Sequence, residues 1–350
     1  MHWSDIQERP IDLENERERV EISKFLSCFG LTFDGSVEYT VALVQNDNMI
    51  ATGSLDGEVL RNFAILEEYQ GADLTARLAT HLMGVAARRG RHHFFVFTKP
   101  ETAGLFSSLG FREVARTDKA VLLETGMGSI AAYCDELKEQ TCLLSPPPRA
   151  ALVVNCNPFT LGHQAVIAKA AAENSSVIVL VVSEEGSAFP FETRFRLVSE
   201  GLSHLENVAV FPGGKYIVSA ATFPGYFTKG NDTLIAQTEL DATIFARYIA
   251  PALGVTSRYV GTEPNDATTC AYNEAMERIF PRYGLSLRVM PRVSASGDDQ
   301  PVSASRVRNY IREERWSDVQ RLVPDTTYQY LRSEEALPVL KRLKASIARH

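Results

Sequence analysis

Hydrophobic and polar positions change period several times along this chain, and each change marks an element. From Asp12 to Phe29, charged clusters alternate with Val20, Ile22, Phe25 and Leu26, which predicts an amphipathic helix. Val37–Val44 and Met49–Ser54 read as short strands, and Gln45-Asn-Asp-Asn48 between them is a hairpin signal. Val59–Leu66 predicts a further strand, and after Thr75 a helix carries Leu78, Leu82 and Val85 on one face. A strand over Phe94–Thr98, a short helix over Thr102–Leu109 stopped by Gly110-Phe111, and a strand over Val121–Glu124 complete this half. His92 and His93 are adjacent on a strand and point to opposite faces, so they are read as polar residues at its start, not as a metal pair.

Three consecutive prolines, Pro146 to Pro148, form a stiff extended connector and place a domain boundary near residue 145. Two domains, 1–145 and 146–350, are expected. Beyond the connector, strands and helices alternate: strand Leu152–Asn155, helix Gly162–Glu173, strand Val177–Val182, helix Phe191–Leu202 and strand Val208–Phe211. A long helix around Ile235–Ala252, strand Arg258–Val260, helix Thr269–Phe280, strand Leu287–Met290 and helix Ser305–Glu314 follow. β-Branched runs between helices imply a parallel sheet buried on both faces, and ligands of such sheets sit where strand order reverses, at the carboxyl ends.

Composition narrows the class. The 350 residues carry a net charge of −7, which argues against a general nucleic-acid binder. Five scattered cysteines form no Cys-x-x-Cys pair, no signal-peptide h-region opens the chain, and no apolar run reaches membrane-spanning length. A soluble cytoplasmic protein with free thiols is expected.

Chemistry concentrates in Asn155-Cys-Asn-Pro-Phe-Thr-Leu-Gly-His163, where a strand delivers Thr160, Gly162 and His163 to a helix start. Unpaired N–H groups and the helix dipole bind anions there, and His163 adds a donor able to follow developing charge. Val302-Ser-Ala-Ser-Arg-Val-Arg308 opens a second helix with serines and arginines. Gly261-Thr-Glu263 follows a strand and is placed to meet a base or ribose, and Gly213-Gly-Lys215 presents an ammonium. Taken singly, Ser303 and Ser305 could be helix caps, and Arg306 and Arg308 a solvated face.

The first half resembles the N-acetyltransferase superfamily, whose glycine-rich turn before a helix receives the coenzyme A pyrophosphate; Gln70, Gly71 and Leu74 match it. Asp73 stands where the second glycine belongs and Thr75 replaces the last small position. A carboxylate there repels a diphosphate. Thr160-Leu-Gly-His163 with Ser303–Arg308 resembles the paired signatures of the nucleotidyltransferase superfamily, with Thr160 in place of the first histidine and Ala304 and Ser305 departing in the distal motif. The combination implies an acetyltransferase-like α+β domain followed by a Rossmann-like parallel-sheet nucleotidyltransferase domain.

Nearly the whole chain resembles the citrate (pro-3S)-lyase ligase family, most tellingly in Asn155–Thr160, Phe189–Arg194, Tyr216–Pro224, Ala250–Val255, Val260–Pro264 and Ser303–Arg308. That resemblance implies activation of acetate by ATP and acetylation of the coenzyme-A-derived thiol arm on the lyase's acyl carrier subunit. It assigns His163, Thr160 and Arg308 to the phosphates, with Ser303, Ser305 and Arg306 on the triphosphate. Thr262 and Glu263 fall to adenosine, Lys215 to acetate or the α-phosphate, and Asn155, Cys156, Asn157, Phe159, Gly162 and Gly261 to the ATP site. Mg2+ is expected on the β- and γ-phosphates, with no protein-built metal cage. A phosphopantetheine adenylyltransferase, a tRNA-modifying acetate ligase and a non-catalytic nucleotide sensor that binds an acyl carrier are the alternatives.

Overall fold

A computed structural model describes residues 6–33, 37–70, 72–223, 231–262, 267–292, 294 and 300–345. In chain order the elements begin with β1 (Gln7–Pro10), α1 (Glu16–Ser27), β2 (Tyr39–Gln45), β3 (Asn48–Asp56), β4 (Val59–Ile65), α2 (Ala72–Arg88), β5 (His93–Thr98) and α3 (Ala103–Ser107). Next are β6 (Arg112–Arg116), β7 (Val121–Gly126), α4 (Ile130–Gln140), β8 (Arg149–Val154), α5 (Leu161–Glu173), β9 (Val177–Val181), α6 (Phe191–Gly201) and β10 (Val208–Pro212). The remainder is α7 (Asn231–Ile244), α8 (Ala250–Leu253), β11 (Val255–Gly261), α9 (Ala267–Ile279), β12 (Ser286–Met290), α10 (Ala304–Arg312), α11 (Trp316–Gln320), α12 (Asp325–Arg332) and α13 (Leu337–Ala345). Among the described residues no helix is long and apolar enough to cross a membrane.

The chain forms two compact units, one of Met1–Asp135 with Ala220–Ile244 and one of Glu136–Ser219 with Phe245–His350. The segment 220–244, which the sequence groups with the second half, therefore clusters with the first.

In the first unit seven strands run in the order β1-β2-β3-β4-β5-β7-β6. All neighbours are antiparallel except β4 and β5, which pair in parallel at Val59 and Phe95. Asn46 and Asp47 take φ of 49° and 61° to close the β2–β3 hairpin, the left-handed pair a two-residue turn needs. One face of the sheet packs on Leu74, Leu78, Leu82 and Val85 of α2, and the other on Ile22 and Leu26 of α1. His92 is exposed while His93 is buried and bonds Glu124 through Nε2 at 3.0 Å, as the two-residue period of a strand requires. This is the acetyltransferase-like α+β class expected of the first half.

In the second unit five parallel strands run β10-β9-β8-β11-β12, so strand order reverses between β8 and β11. One core joins Leu152, Val179 and Val181 of the sheet to Ile167 of α5, Leu197 and Val198 of α6, and Val307 and Ile311 of α10. Val319, Leu331, Val339 and Leu343 of α11 to α13 extend it. The result is the Rossmann-like architecture expected of the second half.

Candidate active site

The site grows from the carboxyl end of β8, beside the reversal. Cys156 turns the backbone sharply with φ of 52°, and Thr160 then caps α5 in an extended conformation. Thr160 Oγ1 accepts the His163 backbone N–H at 3.4 Å, while His163 Nδ1 accepts the Thr160 backbone N–H at 3.1 Å. This is a capping box with imidazole in the place usually taken by Glu or Gln.

The box fixes the tautomer. A backbone N–H can only donate, so Nδ1 is an acceptor and the ring proton sits on Nε2. Thr160 Oγ1, 2.8 Å from Nδ1, then spends its own proton on the ring. Thr160 is 1% exposed, and its hydroxyl faces the His163 ring. Burial first, and the charge of Arg292 second, push His163 down to about 4, leaving it a neutral Nε2–H donor at pH 7.

Phe159 lies fully buried with its ring 6.2 Å from that of His163, at an interplanar angle of 18°. Gly201 of α6 makes room for it, because a Cβ there would stand 2.6 Å from Phe159 Cε1. Gly201→Ala should therefore cost about 1–3 kcal/mol of stability by overpacking, read by urea unfolding. An unchanged midpoint would show that the ring has room to move.

The two motifs meet at Gly162. A Cβ on Gly162 would lie 3.1 Å from the carbonyl of Val302, the residue before the cap of α10. Ser303 caps that helix, its Oγ accepting the Arg306 backbone N–H at 3.2 Å. Arg308 donates from Nη1 to the Asn157 carbonyl at 2.6 Å and from Nη2 to Ser305 Oγ at 3.0 Å, clipping one motif to the other. Two helix N-termini thus open at the same sheet end, one behind His163 and one behind Ser305.

Other expected residues are placed differently. Arg306 donates from Nε and Nη2 to the Tyr310 hydroxyl at 3.1 and 2.9 Å and from Nη1 to the Gln300 carbonyl at 3.1 Å. Cys156 is 1% exposed and its burial raises the thiol, so only its backbone can face a ligand. At the end of β11, Thr262 is exposed, and a Cβ on Gly261 would meet none of the described residues within 4 Å. Glu263 lies outside the described residues. Lys215 is exposed just beyond the edge strand β10, two strands or ~10 Å from β8. In the first unit Gln70 and Asp73 are exposed, the Leu74 side chain is in the core, and Gly71 lies outside the described residues.

Arg194 escapes the sequence reading. It is fully buried, and it donates to the carbonyls of Phe189 at 3.0 Å, Asn155 at 2.9 Å, Val182 at 2.7 Å and Glu184 at 2.5 Å, and to Asn155 Oδ1 at 2.9 Å. One guanidinium thus holds the ends of β8 and β9. The signal was available: Arg194, Leu197, Val198 and Gly201 make an i, i+3, i+4, i+7 stripe, and all four are buried. An arginine on such a stripe must find acceptors inside.

Comparison with known proteins gives the family. Residues 149–331 match the model described as the citrate lyase ligase C-terminal domain, more than half of the chain. The citrate (pro-3S)-lyase ligase of Klebsiella pneumoniae is 35% identical over 327 residues, 91% of this chain and 94% of its own. That of Escherichia coli K12 is 35% identical over 347 residues, 95% of each chain. A solved GNAT-family acetyltransferase of Staphylococcus aureus aligns with 35% of this chain and 99% of its own at 14% identity and a TM-score of 0.30. The matches run through both halves, and the chain belongs to the citrate (pro-3S)-lyase ligase family.

Proposed function

We propose that the second unit joins acetate to AMP and hands the acetyl group to the thiol of a coenzyme-A-derived arm on the acyl carrier subunit of citrate lyase, in the cytoplasm. The observation that carries this is the Arg308 clip on the Asn157 carbonyl, which sets two helix N-termini at the strand reversal. An acetate oxygen attacks the α-phosphorus of ATP, and pyrophosphate leaves with the P–O electron pair. The arm's sulfur then attacks the acetyl carbonyl, AMP leaves, and the thiol proton is released.

Neither step needs a protein nucleophile, only positioning and neutralised charge. His163 Nε2–H donates to an α-phosphate oxygen, and Arg308 with the first turn of α10, Ser303 and Ser305 receives the β- and γ-phosphates. Arg306 can join them by leaving Tyr310, and Thr262 with Glu263 borders the adenosine. Lys215 is left for acetate arriving from the β10 side. Among the described residues no group of three or more His, Cys, Asp or Glu could hold a metal, so the Mg2+ of this reading arrives on the phosphates. The first unit would receive the arm's diphosphate at Gln70, Gly71 and the backbone of Leu74, against the exposed charge of Asp73.

Acetate-dependent exchange of labelled pyrophosphate into ATP tests the first step. Acetate should raise exchange at least tenfold over the acid-free rate, about 1.4 kcal/mol of barrier. Exchange that ignores acetate and requires a pantetheine phosphate would replace this reading with an adenylyltransferase.

A further inference from the structure

We infer that Arg292 is a catalytic residue of this site, the cation that meets the α-phosphate opposite His163; this rests on the acid-activation reading above. Arg292 follows β12, which lies beside β11, and so stands at the carboxyl end of the sheet. Its Nε donates to the Thr262 carbonyl at 2.7 Å, and the Thr262 N–H in turn donates to the Met290 carbonyl at 2.9 Å. These two bonds fix the guanidinium beside the open backbone of Gly261. An antiparallel bridge between Ser294 and Pro301 returns the chain to Val302, which rests on Gly162.

Charge accounting explains why a cation is needed there. Attack on the α-phosphorus places negative charge on its equatorial oxygens. His163 offers a neutral N–H, which can polarise an oxygen but cannot balance a full charge. Among the other cations of this sheet end, Arg194 spends its donors on backbone and Asn155 oxygens. Arg308 is bonded to Asn157 and Ser305. Arg292 is partly buried, and its charge reaches His163, adding to the burial that is the main cause of the ring's neutrality. A phosphate held between the two takes the Nε2–H of the ring on one side and the guanidinium on the other.

The test is acetate-dependent ATP–pyrophosphate exchange in full-length R292Q, R292K and K215Q, with ATP dissociation constants from calorimetry. R292Q should lose about 100-fold in kcat while its ATP dissociation constant moves less than about threefold, the split expected of a group engaged mainly in the transition state. R292K, which restores a point charge, should recover about tenfold of that loss, and K215Q should lose less than R292Q. R292Q with kcat within about threefold of wild type would overturn the inference, as would a loss confined to KM for ATP, which would leave Arg292 as a brace for Thr262. Should R292Q melt well below wild type, R292K decides: folded and within about tenfold of wild type supports the inference, folded and inactive overturns it. If wild type responds to an acid other than acetate, the same variants are measured with that acid, so failure of the acetate reading stays separate.

Discussion

Glutamine at position 163 should lower acetate-dependent exchange by about 10²–10³-fold while the fold is kept. Glutamine is the ordinary partner in a capping box, so its side chain still accepts the Thr160 N–H and α5 still starts at Leu161. What disappears is the Nε2–H, whose direction is set by the two bonds at Nδ1. Full exchange in His163→Gln, with the protein folded, would remove His163 from the chemistry and leave it a cap. The same pair of proteins reports on charge. His163 is held below its usual 6.5 at about 4, so its contribution to stability is complete above pH 6.5 and is lost as pH falls through 4. Wild type should therefore lose more stability than the glutamine variant between pH 7 and pH 4, measured by urea unfolding at each pH. Parallel losses would show that the ring titrates as if in water.

Removing the guanidinium at position 308 is the second large effect. Arg308→Ala is expected to lower exchange by more than about 100-fold and to raise KM for ATP, because it deletes a charge and a clip together. Burial presses Arg308 toward its neutral form, with the like charge of Arg312 a second cause. A polyphosphate relieves both, so a site short of anions is built to gain one. Arg308→Lys keeps the charge but cannot hold the Asn157 carbonyl and Ser305 Oγ at once, and should fall between alanine and wild type. If lysine and alanine are equally poor, the clip matters more than the charge. If alanine is nearly normal, the two motifs are held by Gly162 and Val302 alone.

The elements that could be read in the chain are those whose pattern serves one local purpose. Asn-Asp at 46 and 47 is a hairpin because few other residues tolerate left-handed backbone there, and Ser303 and Thr160 mark helix starts because their oxygens cap them. β1 and β6 went unseen because Gln-Glu-Arg-Pro and Arg-Glu-Val-Ala-Arg lie on sheet edges, where solvent removes the apolar alternation. α11 spans five residues and α12 eight, too short for a helical period to stand out. At the site, strand order decided what sequence could not. Lys215 follows a strand as Gly261 does, yet β10 is at the edge and β11 adjoins β8. Arg292 carries no motif at all, since its place comes from the strand beside it and from the return through Pro301.

The excursion of residues 220–244 bears on how the protein is made. α7 packs beside β6 although more than a hundred residues separate them, so the first sheet waits for its last helix until β8, β9 and β10 have already left the ribosome. The second sheet waits longer, because β11, the neighbour of β8, is synthesised only after α7. Neither unit is complete when the connector at 146–148 emerges, and their assembly intervals overlap in time. A cut at the triproline would leave α7 on a different fragment from the β6 strand it packs beside.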